Sequence, residues 1–132
     1  MKEIYEKLLL KAKHASENAY APYSNYHVGA CVLFESGNEY TGCNVENSSY
    51  GLSICAERNA ISTAIASGEK GKIKVIAIDC DDNEHIFMPC GACRQWLVEF
   101  GTTPDFKAVL YDKKGGIIEF SIDELLPNNF YL

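Results

Sequence analysis

The run Lys74-Val75-Ile76-Ala77-Ile78-Asp79-Cys80, followed by Pro89-Cys90-Gly91-Ala92-Cys93-Arg94-Gln95-Trp96-Leu97-Val98, decides the fold. The first part is short and apolar around Val75-Ile76-Ala77-Ile78, the pattern of a buried central strand. Asp81 to Pro89 reads as loop. Gly91 to Phe100 reads as a helix, with Trp96, Leu97 and Phe100 as apolar anchors and Gly101 as its stop. A strand from Phe106 to Tyr111 follows, so strand, helix and strand alternate.

The same reading extends in both directions. Cys55 to Ser67 is expected to be a helix facing inward with Ala60, Ile61, Ala64 and Ile65, capped by Ser53 and ended by Gly68. Before it, Val45 to Ile54 lacks periodicity and reads as a long functional loop. His27 to Phe34 suits a buried strand, and Glu39 to Asn44 a second, joined across Glu35-Ser36-Gly37-Asn38 as an antiparallel hairpin. Ile4, Leu8, Ala12, Ala15 and Ala19 recur at helical spacing and predict an amphipathic helix from Lys2 to Tyr20, stopped by Pro22. Beyond the centre, Lys113-Lys114-Gly115-Gly116 turns the chain into a last strand, Ile117 to Phe120. Ser121-Ile122-Asp123-Glu124 opens a short helix with a capping box. The expected fold is α/β: one domain over residues 1–132, a three-layer α/β/α sandwich on a mixed five-stranded sheet with a mostly parallel core.

Composition narrows the function. The 132 residues are 47% hydrophobic, enough for a core without disulfide staples. The net charge of -6, with no Lys/Arg run, is a poor footprint for nucleic acid, which is expected to be absent as a partner. No apolar run reaches membrane-span length, and Met1 to Lys7 is a mixed-charge helix start rather than a signal peptide. The protein is therefore expected to be cytoplasmic, with reduced thiols and no membrane partner.

The six cysteines then need another account. Cys55-Ala56-Glu57-Arg58 and Pro89-Cys90-Gly91-Ala92-Cys93-Arg94 together offer three thiols and one carboxylate at two helix starts. Helix N-termini lower thiol pKa values. Catalytic zinc takes three protein ligands and leaves one position for water, whereas structural zinc takes four. Cys31, Cys43 and Cys80 fall in strands as packing residues. A lone C-x-x-C also serves redox and structural zinc sites, so the carboxylate of Glu57 weighs most toward catalysis. His14 reads as surface helix, His27 as strand start and His85 as loop.

With these motifs, the chain resembles the small cytidine deaminases of the zinc-dependent nucleoside deaminase family. The resemblance also covers Ala21-Pro22-Tyr23-Ser24, Val28-Gly29-Ala30, Gly42-Cys43-Asn44-Val45-Glu46-Asn47 and Glu124-Leu125-Leu126-Pro127. The three-cysteine branch resembles homotetrameric enzymes with active sites shared between subunits. The resemblance implies hydrolytic deamination of cytidine and 2'-deoxycytidine to uridine and 2'-deoxyuridine, with release of ammonia, in pyrimidine salvage. It implies one Zn²⁺ per subunit on Cys55, Cys90 and Cys93, and attack of zinc-activated water at C4 while Glu57 shuttles protons. It further implies that the Ala56 N–H meets the C2 carbonyl, that Asn44 and Glu46 bind the ribose, and that Arg58 offsets thiolate charge on the metal. Tyr26 matches a position usually held by Phe near the sugar and base. Ser48, Tyr50 and Phe130 match positions that reach into a neighbouring subunit's site. The alternatives are a deaminase of a related aminonucleoside such as blasticidin S, a non-catalytic zinc-binding interaction module, and a thiol redox protein.

Overall fold

A computed structural model describes residues 1–132. The elements in chain order are α1 (Lys2–Ser16), β1 (Val28–Phe34), β2 (Glu39–Cys43), α2 (Ala56–Ala66), β3 (Ile73–Cys80), α3 (Gly91–Phe100), β4 (Lys107–Tyr111), β5 (Ile117–Phe120) and α4 (Ile122–Leu125). The five strands form one sheet in the order β2-β1-β3-β4-β5. No helix is long and apolar enough to cross a membrane.

Side-chain alternation along the central strands sorts the core into two layers. Val28, Ala30, Val32 and Phe34 of β1, with Ile76 and Ile78 of β3, meet α2 and α3 on one face. Cys31 of β1, with Val75 and Ala77 of β3, packs under Tyr5, Leu8, Leu9 and Ala12 of α1 on the other. Both faces are covered, as the three-layer expectation required.

The sheet is mixed, but its core is not mostly parallel. Only β3 and β4 pair in parallel; β1 is antiparallel to both β2 and β3, and β5 is antiparallel to β4. The chain that crosses through α2 does link two parallel strands, β2 and β3. They lie on opposite sides of β1 and never touch. This arrangement positions the site. Because β2 and β3 run in the same direction, the segments leading to α2 and α3 leave at the same edge of the sheet.

Helix boundaries also differ from the sequence expectation. α1 ends at Ser16 rather than Tyr20. The amides of Glu17, Asn18 and Ala19 fall back to carbonyls three residues earlier, and Tyr20 is taken into pairing with the segment after β2, donating to the Asn44 carbonyl at 3.0 Å. The buried stripe of α1 runs through Tyr5, Leu8, Leu9, Ala12 and Ser16, which turns Ile4 to solvent. On α2, Ile65 is likewise exposed, while Ala56 and Glu57 are buried. Gly68 (φ 94°) and Gly101 end α2 and α3 as expected, and Ser121 and Glu124 form the capping box of α4.

Two glycines allow the layers to close. A Cβ on Gly29 would lie 1.8 Å from the Ala12 carbonyl oxygen of α1, and one on Gly42 would lie 2.3 Å from the Ala60 nitrogen of α2. Both neighbours are helix backbone, which has no rotamer to yield, so overpacking must displace a helix. Gly29→Ala and Gly42→Ala should each lower the unfolding free energy by about 3 kcal/mol. Gly51→Ala, which meets nothing within 4 Å, should change it little in the same urea titrations.

Candidate active site

The cysteine site lies at the sheet edge where the two chain segments leave together. Cys55 is the N-cap of α2 and has extended backbone (φ −74°, ψ 157°). It therefore precedes the helix and projects off its end, while Glu57 sits in the first turn. This resolves how residues two apart can face one point. Ser53 does not cap the helix; its hydroxyl accepts the Asn47 N–H at 3.0 Å. Cys90 is the N-cap of α3, and its sulfur accepts the Cys93 N–H at 3.5 Å.

The three sulfurs of Cys55, Cys90 and Cys93 lie within 4.8 Å of one another. Cys55 Sγ and Cys90 Sγ are 3.6 Å apart, and all six cysteines are free. That separation is far beyond a disulfide bond. It is close to the edge of a tetrahedron of thiolates around zinc, about 3.8 Å for a Zn–S bond of about 2.3 Å.

The electrostatics fit the same group. Arg58 Nη2 donates to Cys55 Sγ at 3.5 Å. Bonding to the Cys93 thiol, to Arg58 and to Cys90 pulls the Cys55 thiol down to about 5. Cys93 is pushed upward, because it donates to Cys55 and is buried. Arg58 is held firmly protonated by Cys55, and its Nε is buried with no partner. A half-buried guanidinium whose Nε is shut away from water is favoured by an anionic neighbour. Three thiolates around a divalent cation carry a net charge of −1, which Arg58 balances. The donor set thus fits zinc. Arg94 acts on the backbone instead. Its Nε donates to the Pro89 carbonyl at 2.8 Å and its Nη1 to the Leu125 carbonyl at 2.7 Å, bracing the loop that enters Cys90.

Glu57 is 2% exposed. Burial pushes its carboxyl up to about 7, with the negative charge at Cys55 adding to the rise. It lines a cavity of about 230 Å³ together with Tyr26, Asn44, Glu46, Cys55, Ala56 and Cys90. Asn44 joins the strands at this edge. Its Oδ1 accepts the Val28 N–H at 2.9 Å and its Nδ2 donates to the Tyr26 carbonyl at 2.8 Å. Glu46 is held below its ordinary carboxylate range by the Ser24 hydroxyl and by the amides of Tyr23 and Ser24.

Three expected residues stand outside this cavity. Tyr50 is 74% exposed, packs edge-on against Tyr23, and lines an adjoining cavity of about 270 Å³ that shares Ser24, Glu46 and Ser53. Ser48 is exposed. Phe130 is 70% exposed and held only through its carbonyl, which accepts from Gln95 Nε2 at 3.0 Å. Conversely, sequence reasoning missed Phe87 and Met88, which wall the cavity beside Tyr26. The available signal was the apolar run Ile86-Phe87-Met88 inside a polar loop, directly before Pro89-Cys90. His14 and His85 are exposed. His27 and His85 pair with Asp81 and Asp82 and do not approach the cysteines.

Comparison with known proteins gives a consistent result. Residues 2–110 match the family model of the cytidine and deoxycytidylate deaminase zinc-binding region. A cytidine deaminase of Sporosarcina psychrophila is 44% identical over 95% of this chain and 90% of its own length. A probable cytidine deaminase of Dictyostelium discoideum is 42% identical over 97% and 84%. The crystal structure of cytidine deaminase from Burkholderia pseudomallei superposes with a TM-score of 0.87 at 43% identity, covering 96% of this chain and 98% of that one.

Single Ala substitutions at Cys55, Cys90 or Cys93 should each leave less than about a tenth of the zinc bound per chain, by atomic emission, because a three-ligand site cannot spare one. Cys43→Ala should retain it. Arg58→Gln should weaken zinc retention by about 10- to 100-fold in a chelator competition; an unchanged competition curve would show that the guanidinium does not serve the metal.

Proposed function

The chain belongs to the cytidine and deoxycytidylate deaminase family, and from that premise we propose that it hydrolyses cytidine and 2'-deoxycytidine to the corresponding uridines with release of ammonia. The observation that carries the proposal is the convergence of three cysteine sulfurs beside a cavity lined by buried Glu57. A redox pair would need only Cys90 and Cys93, and a structural metal would need a fourth protein ligand.

The residues divide the work. Cys55, Cys90 and Cys93 hold one zinc per subunit. When bound, the zinc supplies a polarised, easily deprotonated water at the face of the pyrimidine. Glu57, in a dry position with its carboxyl near neutrality, takes a proton from the attacking water. It delivers that proton to N3, then takes the remaining proton of the hydroxyl added at C4 and passes it to the departing amino group. The Ala56 N–H, unpaired at the start of α2, donates to the C2 carbonyl. Asn44 and Glu46 bind the ribose hydroxyls, and Tyr26 packs along the sugar and base. Arg58 drains charge from the thiolates, which would otherwise make the zinc a weak Lewis acid. Nothing in the cavity demands a 2'-hydroxyl, so both nucleosides are substrates.

The working unit is a homotetramer. An open cavity of about 230 Å³ is smaller than the ~300–1,000 Å³ usual for ligand sites. The aromatic residues Tyr50 and Phe130 are exposed and stand outside the chain's own cavity. By the resemblance to the homotetrameric enzymes, Ser48, Tyr50 and Phe130 serve a neighbouring copy. The compartment is the cytoplasm, where thiols remain available to zinc, and the role is pyrimidine salvage within the one domain of residues 1–132.

Glu57→Gln should lower kcat for cytidine by about 10²- to 10⁴-fold, the range for loss of a general acid–base group, while zinc content stays at one per chain. The loss of absorbance as cytidine is consumed reads the rate. A strong chelator should abolish it and added zinc restore it. Activity that survives chelation excludes the metal reading.

Deleting Phe130 to Leu132 should raise KM about tenfold or more, the equivalent of about 1.4 kcal/mol of lost binding. Light scattering should give four times the 14.6 kDa chain mass for the intact protein. Unchanged kinetics in the truncated protein would remove the tail from the site.

A further inference from the structure

Both oxygens of Glu46 are engaged by one short loop. Its Oε1 accepts the backbone N–H groups of Tyr23 at 3.0 Å and Ser24 at 3.1 Å. Its Oε2 accepts the hydroxyl of Ser24 at 2.5 Å. The same hydroxyl oxygen accepts the Tyr26 N–H at 3.0 Å. The direction of these bonds follows from the donor inventory. An ionised carboxylate can only accept and an amide N–H can only donate, so the single Ser24 proton lies toward Glu46.

The count of lone pairs then becomes informative. A carboxylate oxygen accepts at two positions. Both positions on Oε1 are filled. On Oε2 one is filled by Ser24 and one is left. Glu46 and Ser24 both line the cavity, so Glu46 offers it a single acceptor position whose direction Ser24 sets. The loop is itself fixed: Asn25 adopts the left-handed conformation (φ 61°), and its N–H is bonded to the buried Ala21 carbonyl at 3.0 Å.

We propose that Ser24 is a positioning residue for the substrate sugar: its hydroxyl holds the Glu46 carboxylate in one orientation, so that a ribose hydroxyl meets a preset acceptor. This rests on the reading of Glu46 as a sugar-binding carboxylate. Without the Ser24 hydroxyl, Oε2 loses its charge-assisted bond and gains a second open position that water fills. Binding must then order the carboxylate that the protein now holds ready. Ser24 touches none of the reacting atoms of the pyrimidine, so the chemical step is spared.

The test compares cytidine with 2',3'-dideoxycytidine, which lacks the 2'- and 3'-hydroxyls and keeps the 5'-hydroxyl. Ser24→Ala should raise KM for cytidine about tenfold, the equivalent of one charge-assisted hydrogen bond, with kcat within about twofold of the parent. Ser24→Thr, which keeps the hydroxyl, should return KM to near its original value and serves as the folded control. For the dideoxy compound, measured as substrate or as competitive inhibitor, Ser24→Ala should change nothing. In a Glu46→Gln background, Ser24→Ala should add no further rise. An equal rise for both nucleosides, a fall in kcat in step with KM, or no rescue by Thr overturns the proposal. If Glu46→Gln leaves KM for cytidine unchanged, the sugar-binding reading itself fails. If Glu46→Gln raises KM and Ser24→Ala does not, only the role of Ser24 fails.

Discussion

Three cysteine sulfurs held within 4.8 Å of one another can be thiolates together only where positive charge is concentrated. Everything else in the molecule serves that requirement. Two helices begin at the cluster and aim their free N–H groups at it, with Cys55 and Cys90 as the N-caps. Arg58 adds a full charge from the first turn of α2. These groups converge because β2 and β3 run in the same direction on either side of β1, so both loops leave the sheet at one edge. The edge also receives the start of β1, which brings Tyr26 and Val28 to the cavity. The substrate cavity and the cysteine cluster are two results of one topology.

Several polar residues near the cluster are placed by bonds to backbone. Asn44 spans Val28 and Tyr26, Arg94 spans Pro89 and Leu125, and Glu46 is gripped by the Tyr23–Ser24 amides. Each such side chain ties a loop to the frame and leaves little freedom at the site. At a distance, Glu69 accepts from the side chains of Ser36, Asn38 and Tyr40 and from the Gly71 amide, and so locks the β1–β2 turn onto the α2–β3 connection. Its burial at 7% exposure is tolerated because both carboxylate oxygens have donors.

Much of this is legible in the sequence, and the exceptions have causes. The strands, the hairpin, α3 and the capping box of α4 follow from local patterns that tertiary packing reinforces. Tyr20 carries a helical pattern but leaves the helix, because long-range pairing with the segment after β2 outcompetes propensity. Ile4 and Ile65 look like core because apolar periodicity does not distinguish adjacent positions on a helix, and Tyr5 and Ala64 hold the facing slots instead. A mostly parallel sheet does not form because alternation reveals direction but not adjacency: β2 and β3 are parallel and separated by β1. The cysteines and Glu57 are legible because metal chemistry restricts residue type and spacing. Phe87, Met88 and Ser24 carry no such mark, since a cavity wall and a loop brace can be built from many residue types.

The strand order also sets a timetable for synthesis. β1 pairs with β2 almost at once, across a short turn, but its other edge stays open until β3 has been made. A nascent chain emerging at about 5–20 residues per second thus carries an unpaired apolar strand edge for several seconds. During that interval Cys55 is already exposed without its partners, because Cys90 and Cys93 follow β3 in the chain. A metal ion captured early would meet only one of the three cluster thiols. One captured after α3 docks would meet three. The order of the strands therefore makes metal acquisition a late event of assembly, and it leaves the ribosome-bound hairpin as the species most exposed to aggregation.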